Sequence, residues 1–254
     1  AGAYHCVTGV PVKRVGVVSR TPEKAAAFAK KHGFEFATTN LQELLSRPDV
    51  HVIDICAPNF AHEEIAIAAA RAGKHIICEK PLTAYFGDPS DPARMREEAM
   101  ASVERVLDAV RSAGVLFMYA ENWIYAPAIQ KALRLAEAAG GTIFDIRAEE
   151  AHSGSHSPYA REWRTSGGGS LLRLGSHPLA AALYFKRVEG ERRDGKPIRV
   201  ASVSCEATNV TRIPSFEREE RKWVASGWKD VEDWATLILN FEDGARATIS
   251  ASDI

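Results

Sequence analysis

The first 120 residues alternate short apolar runs with longer amphipathic ones, and few folds accept that alternation. The runs "VKRVGVVSR", "VHVIDICAP", "HIICEKP" and "VLFMYA" are β-branched and short, as strands are. Between or ahead of them, "TPEKAAAFAKKHG", "NLQELLSRPD", "NFAHEEIAIAAARAGK" and "ARMREEAMASVERVLDAVRSAG" carry helical spacing. In the first of these, Thr21 fits the N-cap, Pro22 the first helical position and Gly33 the stop. Near-continuous apolar strands joined by helices predict a doubly wound, parallel α/β sheet covered on both faces.

Beyond residue 120 the pattern changes. "TIFDIRAEEAHSG", "IRVASVSCEATNV", "DWATLILNFEDG" and "ARATISASD" alternate as half-exposed strands do, and "FEDGAR" supplies an Asp-Gly hairpin turn. An α+β domain with a mostly antiparallel sheet is predicted over 121–254, after a dinucleotide-binding domain over 1–120. "AYFGDPSDPARMR" reads as a surface insertion and "FEREERKWVASGWKD" as a charged loop. Both ends read as incomplete: no strand feeding a glycine-rich turn precedes "AGAYHC", and the chain stops at "ASDI" directly after a strand. Val200, Val203, Leu237 and Leu239 are expected on the outward sheet face, which predicts a homo-oligomer, dimer or tetramer.

With 46% hydrophobic and 26% charged residues and a formal net charge of -1, the chain has the composition of a soluble globular protein. Nothing in that balance points to nucleic acid or an anionic membrane as partner. No apolar run is long enough to span a bilayer and no signal peptide is visible. Cys6, Cys56, Cys78 and Cys205 form no C-x-x-C pair, and buried thiols in a reducing, cytoplasmic setting are expected.

In "HIICEKPLTA", Pro81 lacks an N–H and fixes its own φ, so the strand stops there and Lys80 stands at its carboxyl end. In an open α/β sheet that edge binds ligands. A solvated Glu79–Lys80 pair is the competing reading.

Taken together, "APNFAHEE", "CEKPLT", "REWRTSGGGSLLRLGSHPL" and "AGAYHC" resemble the family of NAD(P)-dependent sugar and polyol dehydrogenases that includes glucose-fructose oxidoreductase and inositol dehydrogenase. The resemblance covers nearly the whole chain and implies a Rossmann-type first domain. It implies that Gly2 is the last glycine of the phosphate turn, with His5 three residues on. Pro58, Asn59 and His62 would lie along the cofactor ribose, although His62 also reads as an ordinary helix-start histidine. Lys80 would contact the nicotinamide ribose and the reacting hydroxyl, with Glu79 holding it in place. Trp163 and Arg164 would approach the nicotinamide end, and His177 would be the catalytic histidine. No metal is implied.

The chemistry stands apart from the name. Oxidising a secondary alcohol needs a hydride acceptor, which the nicotinamide supplies, and a base for the hydroxyl proton, a role suited to histidine. A lysine beside the same oxygen stabilises developing alkoxide charge. One departure from the family is Arg173, where an aspartate usually stands four residues before the histidine. Three readings follow: Arg173 binds a substrate carboxylate, as on an acidic sugar; it turns away and pairs with Glu149 or Glu150; or the site has lost catalysis.

His152, His156 and Tyr159 in "AHSGSHSPY" read as a substrate-facing loop or a plain surface loop. Asn122 and Tyr125 either bind sugar hydroxyls or cap the next helix. Ser19, Arg20 and Thr21 follow "VGVV" where a dinucleotide fold usually carries an acidic residue for the adenosine ribose. An arginine with two hydroxyls suits the 2′-phosphate of NADP, with NAD as the alternative. The expected activity interconverts a hydroxyl and a keto group on a sugar, cyclitol or sugar acid. The rivals are a non-catalytic nucleotide-binding regulator on the same fold, favoured by Arg173, and a hydrolase or lyase using the nicotinamide transiently.

Overall fold

The computed structural model describes residues 2–155, 157–222, 224 and 226–254. After a 3-10 helix at Gly2–Cys6, the chain runs through β1 (Gly16–Val18), α1 (Pro22–His32), β2 (Phe36–Thr38), α2 (Leu41–Leu45), β3 (Val52–Ile55), α3 (His62–Arg71), β4 (His75–Glu79), α4 (Pro92–Ala113) and β5 (Phe117–Ala120). The stop signal of α1 works as expected: Gly33 takes a left-handed φ of 67° and its N–H bonds the Ala29 carbonyl. Thr21 is the N-cap residue, but its hydroxyl makes no capping bond. β1 pairs with β2 in parallel, β3 pairs with β4 in parallel, and β5 lies beside β4.

The chain packs as two compact units that interleave in sequence. The first comprises Ala1–Ile55, Glu64–Cys78 and Arg105–Met118; the second comprises Cys56–Glu63, Glu79–Glu104 and Tyr119–Ile254. In the first unit, Ile53, Ile55, Ile76 and Cys78 from β3 and β4 are buried, as are Ala66, Ala69 and Ala70 of α3 and Val106 of α4. The expectation of cover on both faces fails at β3, where Val52 is 46% exposed. A short apolar run reads the same whether one face is covered or two. Only Cys78 of the four cysteines is buried, which corrects the expectation for Cys56, and none forms a disulfide.

The remaining elements are α5 (Pro127–Ala139), β6 (Asp145–Ala151), α6 (Trp163–Ser166), α7 (Ser170–Arg173), α8 (Ser176–Asp194), β7 (Val200–Thr208), α9 (Pro214–Glu217), β8 (Trp234–Phe241) and β9 (Arg246–Ser252). They build a sheet of order β6-β9-β8-β7, antiparallel except for the β6–β9 pair. Its hairpin turns at Gly244, whose φ is 86°. Leu237, Leu239, Phe241, Ala247 and Ile249 point to one face and form the core with Ala182 of α8.

The predicted outward set is therefore corrected. Leu237 and Leu239 are buried, and Val200 packs against the same core. The alternate positions Thr236, Asn240, Thr248 and Ser250 line the other face, where Thr236 bonds Ser250 at 3.2 Å. Of the four named residues only Val203, on the edge strand β7, is exposed, at 58%. The segment read as a charged loop also does more than cover surface. Its Trp228 is buried with Ala160 and with Val231 just beyond the segment, and Arg161 and Arg173 lie 5.7 and 5.6 Å from the Trp228 ring. Among the described residues no helix is long and apolar enough to cross a membrane.

Candidate active site

Within the second unit, the turn after β4 is tied to the glycine-rich segment ahead of α8. Lys80 Nζ donates to the main-chain carbonyl of Arg173, and Glu79 Oε2 accepts the Lys80 N–H at 3.1 Å. This overturns the reading of Glu79 and Lys80 as a solvated pair. Burial lowers the Lys80 pKa, an effect that the charges of Glu150, Glu121 and Glu79 oppose and that of Arg173 reinforces.

The triple glycine makes this junction possible. A Cβ on Gly167 would stand 2.3 Å from the Ala84 Cβ, and Gly167 also has a φ of +73°. A Cβ on Gly169 would stand 1.8 Å from the Glu232 carbonyl oxygen. Glu232 then accepts the Gly169 and Leu171 N–H groups at 2.9 and 3.0 Å, which fixes the start of α7.

Arg173 ends α7. Its guanidinium bonds both oxygens of Asp253, a fully buried carboxylate that follows β9. Pairing with Glu149 or Glu150 is thus corrected to pairing with Asp253. The acidic-sugar reading also loses its unpaired cation. Glu150 instead contacts His152 at 3.2 Å and keeps a buried Oε2 without a partner among the described residues.

His177, in the first turn of α8, is 8% exposed. Its Nδ1 lies 2.6 Å from Glu121 Oε1, and the Trp123 ring stacks on it with centroids 5.7 Å apart and planes 11° apart. Glu121 is 2% exposed and directly follows β5. It was absent from the sequence-derived candidates. Its position at the carboxyl end of a strand was the available signal, and the reading settled on its neighbour Asn122.

His62 is 1% exposed, with Nδ1 3.0 Å from the Pro81 carbonyl and 3.3 Å from that of Leu82, and Nε2 2.8 Å from that of Ala57. With both nitrogens facing main-chain oxygens, the ring ties the turn after β4 to the start of α3, in line with the reading of a helix-start histidine. Asn59 is buried, donates to the Ser166 carbonyl, and keeps Oδ1 without a partner among the described residues. Trp163 packs with the Trp228 cluster and its main-chain N–H bonds Asp230 Oδ1 at 2.6 Å, whereas Arg164 is exposed. Asn122 is exposed and makes no capping bond, and Tyr125 is 64% exposed. Tyr159 is 40% exposed, and His156 lies outside the described residues.

In the first unit, Ser19, Arg20 and Thr21 stand at the carboxyl end of β1. The Ser19 N–H bonds the Thr38 carbonyl at 3.1 Å. Arg20 is exposed and makes no ion pair among the described residues. Gly2 has no heavy atom within 4 Å of a built Cβ, and His5 contacts the Arg14 guanidinium.

The chain has a parallel α/β unit and a second unit with a mixed sheet, in which a lysine and a histidine gather on one glycine-rich junction. Residues 4–120 match the model of the oxidoreductase family with an NAD-binding Rossmann fold, and residues 130–254 match the GFO/IDH/MocA C-terminal domain. The chain belongs to the GFO/IDH/MocA oxidoreductase family.

Levoglucosan dehydrogenase of Pseudarthrobacter phenanthrenivorans is 33% identical over 96% of this chain and 59% of that protein. Trans-1,2-dihydrobenzene-1,2-diol dehydrogenase of Bos taurus is 29% identical over 94% and 59%. A solved levoglucosan dehydrogenase in complex with NADH and levoglucosan superposes with a TM-score of 0.72 at 27% identity, covering 95% of this chain and 58% of that one. The chain thus spans 59% of the length of these two curated relatives.

The chemistry of Asn59 fits a ligand hydroxyl: its Oδ1 is a buried acceptor without a partner among the described residues. An orphaned buried acceptor costs about 1–3 kcal/mol, which a ligand hydroxyl would recover.

Proposed function

We propose that the protein is an NAD(P)-dependent dehydrogenase or reductase that interconverts a secondary hydroxyl and a keto group on a neutral sugar or polyol. One observation carries the reading: Lys80 bonds the carbonyl of Arg173, four residues before His177, so cation and base belong to one hydrogen-bonded junction. Lys80 stabilises the substrate oxygen and His177 takes its proton. When bound, the nicotinamide supplies the hydride acceptor. Pro58, Asn59, Glu79, Trp163 and Arg164 are proposed at the cofactor, and Gly2 and His5 at its phosphates. Asn122, Tyr125 and His156 are proposed at the substrate.

The neutral substrate class follows from charge. Arg173 is matched by Asp253, and Glu79, Glu121 and Glu150 all act on Lys80, so neither of these two cations stands unmatched for an acid group. The family and the dehydrogenase names of the relatives support turnover over a regulatory role. The domains are proposed as 1–120 for the dinucleotide and 121–254 for substrate. A cytoplasmic setting and a homo-oligomer belong to the same proposal, the latter now resting on exposed Ile238, on the sheet face away from the core.

The test is absorbance of the reduced cofactor during incubation with matched neutral polyols, sugars and sugar acids. Reduction with neutral members is expected. Binding of cofactor without turnover on any member would favour the regulator, and turnover without net reduction would favour the hydrolase or lyase.

Preference for NADP is proposed from Arg20. A charge-assisted bond to the 2′-phosphate is worth roughly 1.5–3 kcal/mol. Arg20→Ala is expected to raise KM for NADP about 10- to 100-fold, since each 1.4 kcal/mol is about tenfold, and to spare NAD. Equal losses for both cofactors, or none for either, would reduce Arg20 to a solvated turn residue.

A further inference from the structure

We infer that Glu121 is the positioning residue of the His177 base: it selects the ring tautomer that can accept a substrate proton. The inference rests on the dehydrogenase reading above and adds to it the group that orients the base.

The residue four before His177 is Arg173, and its guanidinium is held by Asp253. No carboxylate reaches the imidazole from there. Glu121 reaches it from the end of a strand, 56 residues away in sequence, with Oε1 2.6 Å from Nδ1. The same Oε1 accepts the Trp123 N–H at 3.0 Å, so the carboxylate is itself fixed. The Trp123 ring then lies parallel to the imidazole and holds its plane. One hydrogen bond sets the rotation of the ring, and one stack sets its tilt.

The chemistry follows from donor and acceptor roles. A carboxylate oxygen only accepts, so Nδ1 donates. A neutral imidazole carries one N–H, so Nε2 keeps its lone pair. In alcohol oxidation the substrate C–H bond breaks as hydride, with both electrons passing to the oxidised nicotinamide. The O–H bond breaks as a proton that Nε2 takes, and the carbonyl forms. The imidazolium produced sits against the Glu121 carboxylate. A buried pair serving structure alone would satisfy both oxygens, but Glu121 Oε2 is buried with no partner among the described residues.

The test uses the full chain and two variants. Glu121→Leu removes the acceptor at similar size. It is expected to lower kcat about 10²- to 10⁴-fold, the range of general-base catalysis, with KM for the cofactor unchanged. Glu121→Gln can keep an oxygen at the Oε1 position, because the Trp123 N–H demands an acceptor there. It should recover most of that loss.

Nitrogen-15 and proton spectra of the His177 ring supply a readout that needs no turnover. The parent and Glu121→Gln should show the Nδ1-protonated tautomer, and Glu121→Leu should not. A parent ring protonated on Nε2, or a Glu121→Leu enzyme with unchanged kcat, would overturn the inference. If Glu121→Leu does not fold, the parent tautomer still decides. A parent with the expected tautomer and no turnover on any alcohol would refute the dehydrogenase reading and leave the positioning geometry standing.

Discussion

Alanine in place of Lys80 is expected to lower kcat for alcohol oxidation about 10²- to 10³-fold, the cost of removing one preorganised group that stabilises developing negative charge. The cofactor should still bind with nearly the parent KM, because the lost interaction is strongest in the transition state. Stability should move little. The alanine variant loses the bond to the Arg173 carbonyl, but it also loses a cation that burial disfavours. The pH dependence separates these contributions. The folded-state pKa of Lys80 lies below its ordinary value, so between the two values the unfolded chain binds more protons. Stability then rises with pH across that alkaline interval, and the slope should flatten in Lys80→Ala. Steady-state kinetics with a thermal melt of the same samples provides the check. Near-parental kcat would remove Lys80 from the chemistry, and a collapsed melt would make its role structural.

The second large effect concerns a lysine with no part in the chemistry. Lys186 on α8 is fully buried, and its Nζ donates to the Ile143 carbonyl at 2.8 Å, Glu189 Oε2 at 2.6 Å and Asp243 Oδ2 at 2.9 Å. All three ammonium donors are therefore matched. Lys186→Ala would leave the buried Glu189 carboxylate and the neighbouring Asp243 with only the longer cation contacts to Arg193, at 3.4 and 3.8 Å. Breaking one side of such a pair costs about 3–5 kcal/mol. Urea unfolding should show a lower midpoint with an unchanged slope.

The acid limb of stability should move as well. Burial pushes the Asp243 carboxyl up, but the Lys186 bond, the Ala245 N–H and the charges of Lys186 and Arg193 outweigh it, and the net shift is downward. A depressed carboxyl contributes stability above its unfolded pKa and loses it as pH falls through the folded one. Without Lys186 that contribution is smaller, so the variant's acid limb should be shallower as well as lower. Lys186 lies nine residues beyond His177, roughly 13 Å along the helix at about 1.5 Å per residue, so molecules that remain folded should keep their turnover. A parental urea midpoint would show that the network contributes nothing net.

How far the site could be read in advance differs from residue to residue. Lys80 was legible because Pro81 terminates an apolar run, a local rule that needs no knowledge of the rest of the chain. His177 was legible only through the resemblance carried by the glycine-rich segment. Glu121 was not, although its neighbour Asn122 was named, because a single carboxylate after a strand has no periodicity to mark it. His62 was legible as the start of α3, but its sequence position does not tell that three carbonyls surround its ring.

What the amino-acid order determined by itself is local: apolar periods of about 2 and 3.6 residues mark strands and helices, and proline and glycine end them at Pro81, Gly33 and Gly244. That was enough for the parallel unit and for the mostly antiparallel sheet. Tertiary structure alone decided which face each strand buried and which charges met. Leu237 and Leu239 went to the core, although alternation would have allowed either face, because α8 covers that side of the sheet. Arg173 met Asp253 across 80 residues of sequence, and His177 met Glu121 across 56. The physical reason is range: backbone propensity acts over a few residues, whereas a carboxylate accepts from any donor that folding brings within about 3 Å, whatever the separation along the chain.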